Sequence, residues 1–153
     1  MANTYTQLYI QIVLTVKGRQ NILPEKHKEE IHKYITGVIQ NRNHKLTGIN
    51  SVPDHIHIFI GYKPSQSLPE LVRDIKANSS KFINENHWIA GKFEWQSGYG
   101  AFSYLHSHIE RVIKYIANQE EHHKKSSFRE EYLKLLHKFD IQYDDKYLFN
   151  WID

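Results

Sequence analysis

Hydrophobic and polar positions alternate near the start of the chain. The even positions between residues 8 and 16 are apolar, and polar or aromatic residues fall between them. Because successive side chains of a strand point to opposite faces, this pattern predicts a strand over residues 4–16. Two further strand-like runs, 45–52 and 55–62, flank the turn-forming pair Pro53-Asp54 and predict a hairpin.

Apolar residues recur at helical spacing in four other segments. Residues 24–42 open with Pro24, which suits the first turn of a helix. Capping boxes, in which a serine precedes a glutamate by three residues, predict helix starts at Ser67, Ser107 and Ser127. The apolar stripes that follow them are Leu68, Leu71, Val72, Ile75, Phe82 and Ile83, then Ile109, Val112, Ile113 and Ile116, then Phe128, Tyr132, Leu135 and Leu136.

The remaining segments complete a topology. Residues 93–104, rich in aromatics and glycine, are interpreted as a strand with bends at Gly98 and Gly100. The aromatic tail, 140–153, is expected to pack on the body or on a partner chain. The order of strands and helices is typical of an α+β, ferredoxin-like (split βαβ) fold: an antiparallel sheet with helices on one face, here followed by a C-terminal helix and tail. We expect one domain over residues 1–153.

Composition narrows the class of protein. No apolar run approaches the roughly 20 residues that cross a bilayer, and the N-terminus lacks the pattern of a signal peptide, so we expect a cytoplasmic protein without a membrane contact. The chain has no cysteine, which excludes disulfides, thiolate nucleophiles and cysteine-type zinc sites. A net charge of +3 is too small to indicate nucleic-acid binding by itself, whereas 11 histidines supply many groups that bind metals and transfer protons.

Two histidines share one face of the predicted strand 55–62. Ile56 and Ile58 point to the core, so His55 and His57 point the other way. Two imidazoles in this position can share a divalent ion if a third ligand arrives from elsewhere. A pair of solvent-facing histidines is the alternative that this pattern leaves open.

A tyrosine and a glutamine lie four apart on the helix predicted to start at Ser107. Tyr115 and Gln119 therefore share a face. A tyrosine hydroxyl, with an ordinary pKa near 10, is a poor nucleophile at pH 7 and needs a base or a cation beside it. Gln119 could help to bind such a cation. A boundary tyrosine with polar neighbours is the alternative.

The two features together resemble a known family. VPDHIHI at 52–58 and YIANQ at 115–119 are similar to the motifs of HUH-type single-tyrosine transposases of small bacterial insertion sequences, and of the related REP-associated tyrosine transposases. The segments WQSGYGAFS at 95–103 and QEEHHKK at 119–125 resemble one branch of this family. The resemblance covers nearly the whole chain.

The resemblance implies a metal-dependent transposase that acts on single-stranded DNA hairpins. His55, His57 and Gln119 would ligate Mg²⁺ or Mn²⁺. Tyr115 would attack a DNA phosphate, so that strands are cleaved and rejoined at hairpin-flanked sites through a 5′-phosphotyrosine intermediate. The family also implies a homodimer, in which the tyrosine-bearing helix can complete the active site of the partner subunit.

Contacts to DNA are harder to assign. The candidate phosphate contacts are Arg73, Lys76, Lys81, Lys124 and Lys125, and the candidate stacking residues are Tyr99, Phe102 and Trp95. Two other functions stay open. One is a non-catalytic single-stranded nucleic-acid-binding module that presents Tyr5, Tyr9 and Phe59 on its sheet. The other is an HUH nuclease of plasmid replication or mobilisation, although such nucleases are usually larger.

Overall fold

The computed structural model describes residues 3–17, 22–144 and 148. Four strands form one antiparallel sheet in the order β2-β3-β1-β4. Their bounds are Tyr9–Thr15 (β1), Lys45–Val52 (β2), His55–Gly61 (β3) and Gly100–Tyr104 (β4). The helices are Lys28–Gln40 (α1), Leu68–Glu85 (α2), Ile109–Ala117 (α3), Gln119–His123 (α4) and Phe128–Lys138 (α5). Short 3-10 turns, Glu25–His27 and His106–His108, precede α1 and α3.

One face of the sheet packs on α1 and α2. Ile12 of β1 and Ile58 of β3 are fully buried there, against Ile35 of α1 and Ile75 of α2. Ser67 accepts a hydrogen bond from the backbone amide of Glu70, which confirms the capping box that starts α2. This half of the molecule is the split βαβ core that the sequence predicts.

The opposite face is covered by the C-terminal helices. Phe59 of β3 packs on Val112 and Ile116 of α3, and Val13 of β1 lies in the cluster that includes Phe128 of α5. The α+β class and the antiparallel sheet are confirmed, but helices cover both faces rather than one. The physical reason is that both faces of the central strands carry apolar side chains, so each face needs a cover.

Two sequence predictions overestimated the length of strands. β1 begins at Tyr9 rather than at residue 4, and β4 spans only the last residues of the predicted segment 93–104. Trp95 forms a single bridge with Val16, and the chain then bends at Gly98, whose φ is +83°. Aromatic residues can therefore be buried in a loop as well as in a strand, which composition alone does not distinguish.

One of the three predicted capping boxes is wrong. Ser107 lies inside the 3-10 turn before α3, so His108 occupies the N-cap position and no side chain caps this helix. The box at Ser127 is confirmed, because its side chain accepts a hydrogen bond from the Glu130 amide at 3.2 Å.

The C-terminal tail is described only in part. Leu148 packs against the hydrophobic cluster of Val13 and Phe128 between β1 and α5, whereas Ile141 and Tyr143 are exposed. The rest of the predicted tail contact, at 145–147 and 149–153, lies outside the described residues. Among the helices that the structure describes, none has the length and hydropathy to cross a bilayer.

A glycine permits α5 to approach the sheet. A Cβ on Gly100 would lie 2.5 Å from the hydroxyl and 2.9 Å from Cε1 of buried Tyr132. Gly100→Ala should therefore lower the free energy of unfolding by about 1–3 kcal/mol, the usual cost of overpacking. Gly48→Ala is the matched control, because its Cβ would meet Phe59 at 3.8 Å, an ordinary contact. Urea denaturation measures both, and equal stability of the two variants would contradict the packing argument.

A half-buried histidine joins α1 to β2 and makes stability depend on pH. His32 Nε2 lies 2.8 Å from Ser51 Oγ, and burial, with a smaller effect of Lys28, lowers the pKa of His32 to about 4. Between pH 6.5 and 4 His32 therefore binds a proton in the unfolded chain but not in the folded chain, so its contribution to stability falls as the pH falls.

The His32→Gln variant should lack this dependence. From pH 7 to pH 4 the unfolding free energy of the wild-type protein should fall by about 3 kcal/mol more than that of His32→Gln. Urea denaturation across this range measures the difference. The exposed His137→Gln serves as control, and parallel pH profiles for wild type and His32→Gln would rule out the assignment.

Candidate active site

The two histidines of β3 are fully buried beneath α3, α4 and α5. This finding excludes the alternative of two solvent-facing rings. Their Nε2 atoms lie 3.4 Å (His55) and 3.1 Å (His57) from the same oxygen, Oε1 of Glu131 on α5. Glu131 is itself only 2% exposed. The histidine pair and this carboxylate form a closed cluster between the sheet and α5.

The other ring nitrogens of the pair also have partners. Asp54 Oδ1 lies 2.7 Å from His55 Nδ1, and Gln11 Nε2 lies 2.8 Å from His57 Nδ1. Gln11 in turn accepts a hydrogen bond from the Tyr104 hydroxyl at 2.7 Å. These contacts fix both ring planes, so that each Nε2 points into the cluster.

Glu131 collects further donors on its second oxygen. Oε2 accepts hydrogen bonds from the Tyr115 hydroxyl and from Gln119 Nε2, the latter at 3.2 Å. His122 Nε2 lies 3.3 Å from the same oxygen, and His123 Nε2 lies 3.3 Å from Oε1. One carboxylate therefore contacts the predicted nucleophile, the predicted glutamine ligand and four histidines.

The sequence analysis did not identify Glu131. A signal was present, because residue 131 falls on the face of α5 that carries the apolar residues Phe128, Tyr132 and Leu135. An acidic residue on a buried stripe requires a partner. The helix by itself, however, does not say which surface covers that stripe.

The charges of the cluster shift its proton equilibria. Burial opposes ionisation of Glu131, but hydrogen bonds from His123, His55 and His57 outweigh burial and hold the pKa of this carboxyl far below its usual range. Burial would lower the pKa of His55, but the hydrogen bonds to Asp54 and Glu131 raise it overall. For His57 burial dominates and lowers the pKa.

Tyr115 is placed by the end of α3. Asn50 of β2 donates hydrogen bonds to the carbonyl oxygens of Ile116 (2.8 Å) and Ala117 (3.2 Å), which ties the last turn of α3 to the sheet. The Tyr115 ring lies 5.8 Å from the His57 ring. Burial, and then the negative charge of Glu131, raise the pKa of Tyr115 above its usual value.

Gln119 lies beyond a break in the helix. α3 ends at Ala117 and α4 begins at Gln119, so the two helices meet at Asn118. Gln119 is fully buried, and its Oε1 lies 3.3 Å from His55 Nε2 and 3.1 Å from His123 Nε2. The structure thus brings together all four residues predicted for catalysis and metal binding.

The donor set suits a divalent metal ion. One ligand atom each from His55, His57 and Glu131 lie within 4.8 Å of one another. Imidazole nitrogens with a carboxylate oxygen are a common ligand set for first-row divalent ions, and the amide oxygen of Gln119 adjoins them. The cluster therefore fits the kind of ion that the sequence predicts, with one ligand more than predicted.

Two of the predicted DNA contacts line a groove between α2 and the loop 92–99. These are Arg73 and Lys76. Lys76 Nζ donates hydrogen bonds to the carbonyl oxygens of Gln96 (2.8 Å) and Gly98 (2.6 Å). Its ammonium group therefore holds the loop, and Arg73 is the better placed of the two for an external phosphate.

The other three predicted contacts are exposed. Lys81 lies 3.9 Å from Glu85, and Lys124 lies 2.9 Å from Glu121, so both are balanced by local carboxylates. Lys125 follows on the same exposed segment. A DNA contact by any of these lysines stays a prediction.

The aromatic platforms proposed from the sequence are mostly core. Phe102 and Trp95 are buried, and Trp95 Nε1 donates a hydrogen bond to Ser79 Oγ at 2.8 Å. Phe59 is fully buried under α3, so it cannot present its ring on an open sheet. Tyr5 is 89% exposed, but it precedes β1. The sheet surface required by a simple binding module is therefore covered.

Comparisons with known proteins lead to transposases. The family model described as "Transposase IS200 like" matches residues 4–119. The ISDra2 transposase TnpA of Deinococcus radiodurans is 20% identical over 122 residues, which cover 75% of this chain and 86% of that protein.

Two solved structures share the fold. A REP-associated tyrosine transposase bound to a REP hairpin superposes with a TM-score of 0.61 at 14% identity, covering 93% of this chain and 90% of that chain. A crystal structure described as a transposase of Deinococcus radiodurans gives a TM-score of 0.60 at 18% identity, covering 76% and 94%. With its four-stranded α+β fold and a family match over most of its length, the chain belongs to the IS200-like transposases, a family of DNA transposases.

Proposed function

We propose that this chain is a metal-dependent transposase that cleaves and rejoins single-stranded DNA at hairpin-flanked sites, with Tyr115 as the nucleophile. The observation that carries the proposal is a shared carboxylate. Glu131 Oε2 accepts the hydrogen bond of the Tyr115 hydroxyl, and Oε1 lies 3.1 Å from His57 Nε2. Nucleophile and ligand cluster are therefore one connected unit.

His55, His57 and Gln119, joined by Glu131, would hold a Mg²⁺ or Mn²⁺ ion. When bound, such an ion polarises the scissile phosphate and stabilises charge in the transition state. The ligand role requires a particular tautomer of His57. As long as Gln11 donates to Nδ1, Nε2 of His57 carries the proton. A half-turn of the Gln11 amide would move the proton to Nδ1 and free Nε2 as a ligand.

The proposed reaction assigns a role to each of these positions. The Tyr115 oxygen forms a bond to phosphorus, and the bond from phosphorus to the 3′ oxygen breaks, which leaves a 5′-phosphotyrosine and a free 3′ hydroxyl. The phenolic proton is lost as this bond forms and the departing 3′ oxygen gains a proton, so the step balances. Before the attack, the Tyr115 hydroxyl donates its hydrogen bond to Glu131. Attack of a 3′ hydroxyl on the phosphotyrosine reverses the step and joins strands without an external energy source.

Substrate and assembly are also proposals. The REP hairpin bound to the structural neighbour supports single-stranded DNA hairpins as the substrate class, and cellular DNA as substrate suggests action in the cytoplasm. We propose one transposase domain over residues 1–153, because α5 contributes Glu131. A homodimer rests on the family resemblance. Within one chain Tyr115 already lies beside His57, so exchange of α3 between subunits is not needed to assemble the site.

The Tyr115→Phe variant tests the nucleophile. Incubated with Mn²⁺ and a labelled pool of single-stranded DNA hairpins, wild-type protein should give a slowly migrating covalent adduct on a denaturing gel. Tyr115→Phe should give none while it still binds the hairpins, because only the attacking oxygen is removed. Tyr34→Phe on α1, whose ring stacks on Phe82, is the matched control and should retain the adduct. An adduct with Tyr115→Phe would disprove the assignment.

Binding of the metal ion is tested without the reaction. Titration of the protein with Mn²⁺ in a calorimeter should show one site. The His57→Ala and Glu131→Gln variants should lower the affinity for Mn²⁺ by at least about 10- to 100-fold. A loss of this size is usual even when a residue that only holds a ligand in place is removed. His137→Gln, an exposed histidine, should bind as wild type does. Unchanged affinity in both cluster variants, with intact circular dichroism, would refute the site.

A further inference from the structure

A cavity between α3 and α5 adjoins the proposed nucleophile, Tyr115. Its volume is about 360 Å³, and its lining includes Tyr115 and Glu131 but neither His55 nor His57. It is bounded by α3 on one side and by α5 on the other. Its size falls within the range of small-ligand sites. The cavity thus adjoins both Tyr115 and the carboxylate of the metal-ligand cluster, but not the histidines of β3.

The charge of this cavity is positive and is not balanced by neighbouring acids. Arg111 of α3 and Lys134 and Lys138 of α5 line it, and among the residues that the structure describes none of the three forms an ion pair. The single carboxylate in the lining is Glu131, which four histidines already surround. The cavity therefore attracts an anion.

The cations and the tyrosine lie at different depths in the cavity. Arg111 and Tyr115 are four apart on α3, and Glu131, Lys134 and Lys138 follow one face of α5. The three cations are exposed, whereas Glu131 is buried and Tyr115 is half-buried. Positive charge therefore lies at the mouth and the nucleophile lies deeper.

The lining favours a phosphate backbone over a base. Tyr104 is an aromatic residue that could stack on a base, but Lys138 Nζ lies over its ring, 5.4 Å from the centroid. The Tyr104 hydroxyl is also engaged, since it donates to Gln11. Guanidinium and ammonium groups that form no ion pair are the usual contacts of phosphate oxygens.

We propose that this cavity binds the phosphodiester backbone of the single DNA strand beside the scissile phosphate, with Arg111, Lys134 and Lys138 as phosphate contacts. The inference rests on the proposed function, because it assigns the approach of the strand to the same tyrosine. It differs from the sequence-based candidates, since none of these three residues was among them. Backbone recognition predicts tolerance of the base sequence at these positions.

Binding without chemistry tests the cavity. In the Tyr115→Phe background, Arg111→Ala with Lys134→Ala should weaken binding of labelled oligothymidine of twelve nucleotides by at least 10-fold. The slope of log affinity against log salt should fall by about 1.4, since each lost phosphate contact on single strands contributes about 0.7. The same pair in the Tyr115-containing protein should form the hairpin adduct more slowly.

The control pair removes equal charge elsewhere. Lys26→Ala with Lys33→Ala changes two exposed lysines at and before α1, on the opposite side of the sheet, and should leave binding and salt slope unchanged. Equal losses in both pairs would show a general charge effect and overturn the proposal, as would unchanged binding in the cavity pair.

The outcomes separate the two proposals. An adduct that needs Tyr115 but is indifferent to the cavity pair would retain the proposed function and reject the cavity. Conversely, a binding loss confined to the cavity pair, in a protein that forms no adduct, would support the cavity and reject the chemistry. Thermal unfolding of each pair checks that these exposed substitutions leave the fold intact.

Discussion

The burial of one carboxylate constrains the whole active face of this protein. Glu131 is 2% exposed, and an isolated ionised carboxylate in such a place would cost several kcal/mol. The chain offsets this cost with donors from three separate elements: the histidines of β3, Tyr115 of α3, and the glutamine and histidines of α4. The packing of α5 on the sheet and the geometry of the cluster therefore depend on each other.

The two faces of the sheet have different tasks. The face on α1 and α2 is an aliphatic core that fixes the register of the central strands. That register sets His57 beside Val13 of β1 and Asn50 of β2 on the opposite face. Asn50 then binds the last carbonyls of α3, so the position of Tyr115 is determined by the same strand pairing that determines the histidines. Functional groups on strands and helix ends are held more firmly than groups on loops.

Local sequence patterns predicted most of the fold. Period-two alternation, apolar stripes at helical spacing and two serine caps predicted the strands and helices in their correct order. The histidine and tyrosine motifs, through the family resemblance, predicted four residues that the structure places together. Glu131 was missed because its role depends on a contact with residues more than seventy positions earlier, which a helical pattern cannot contain. The capping box at Ser107 failed for a local reason, since a 3-10 turn shifts the N-cap by one residue.

The same carboxylate is the reason why we include α5 in the proposed catalytic unit, although the family match ends at residue 119. In the structure, hydrogen bonds from the surrounding histidines keep Glu131 ionised. A divalent ion would take over that task, and the histidines that bind it must release their protons. The side chains that now hydrogen-bond to one another in the cluster are therefore already close enough to serve as ligands of such an ion. Because Lys134 and Lys138 continue the face of α5 that bears Glu131, the helix that completes the cluster also carries the charges that would guide the strand to Tyr115.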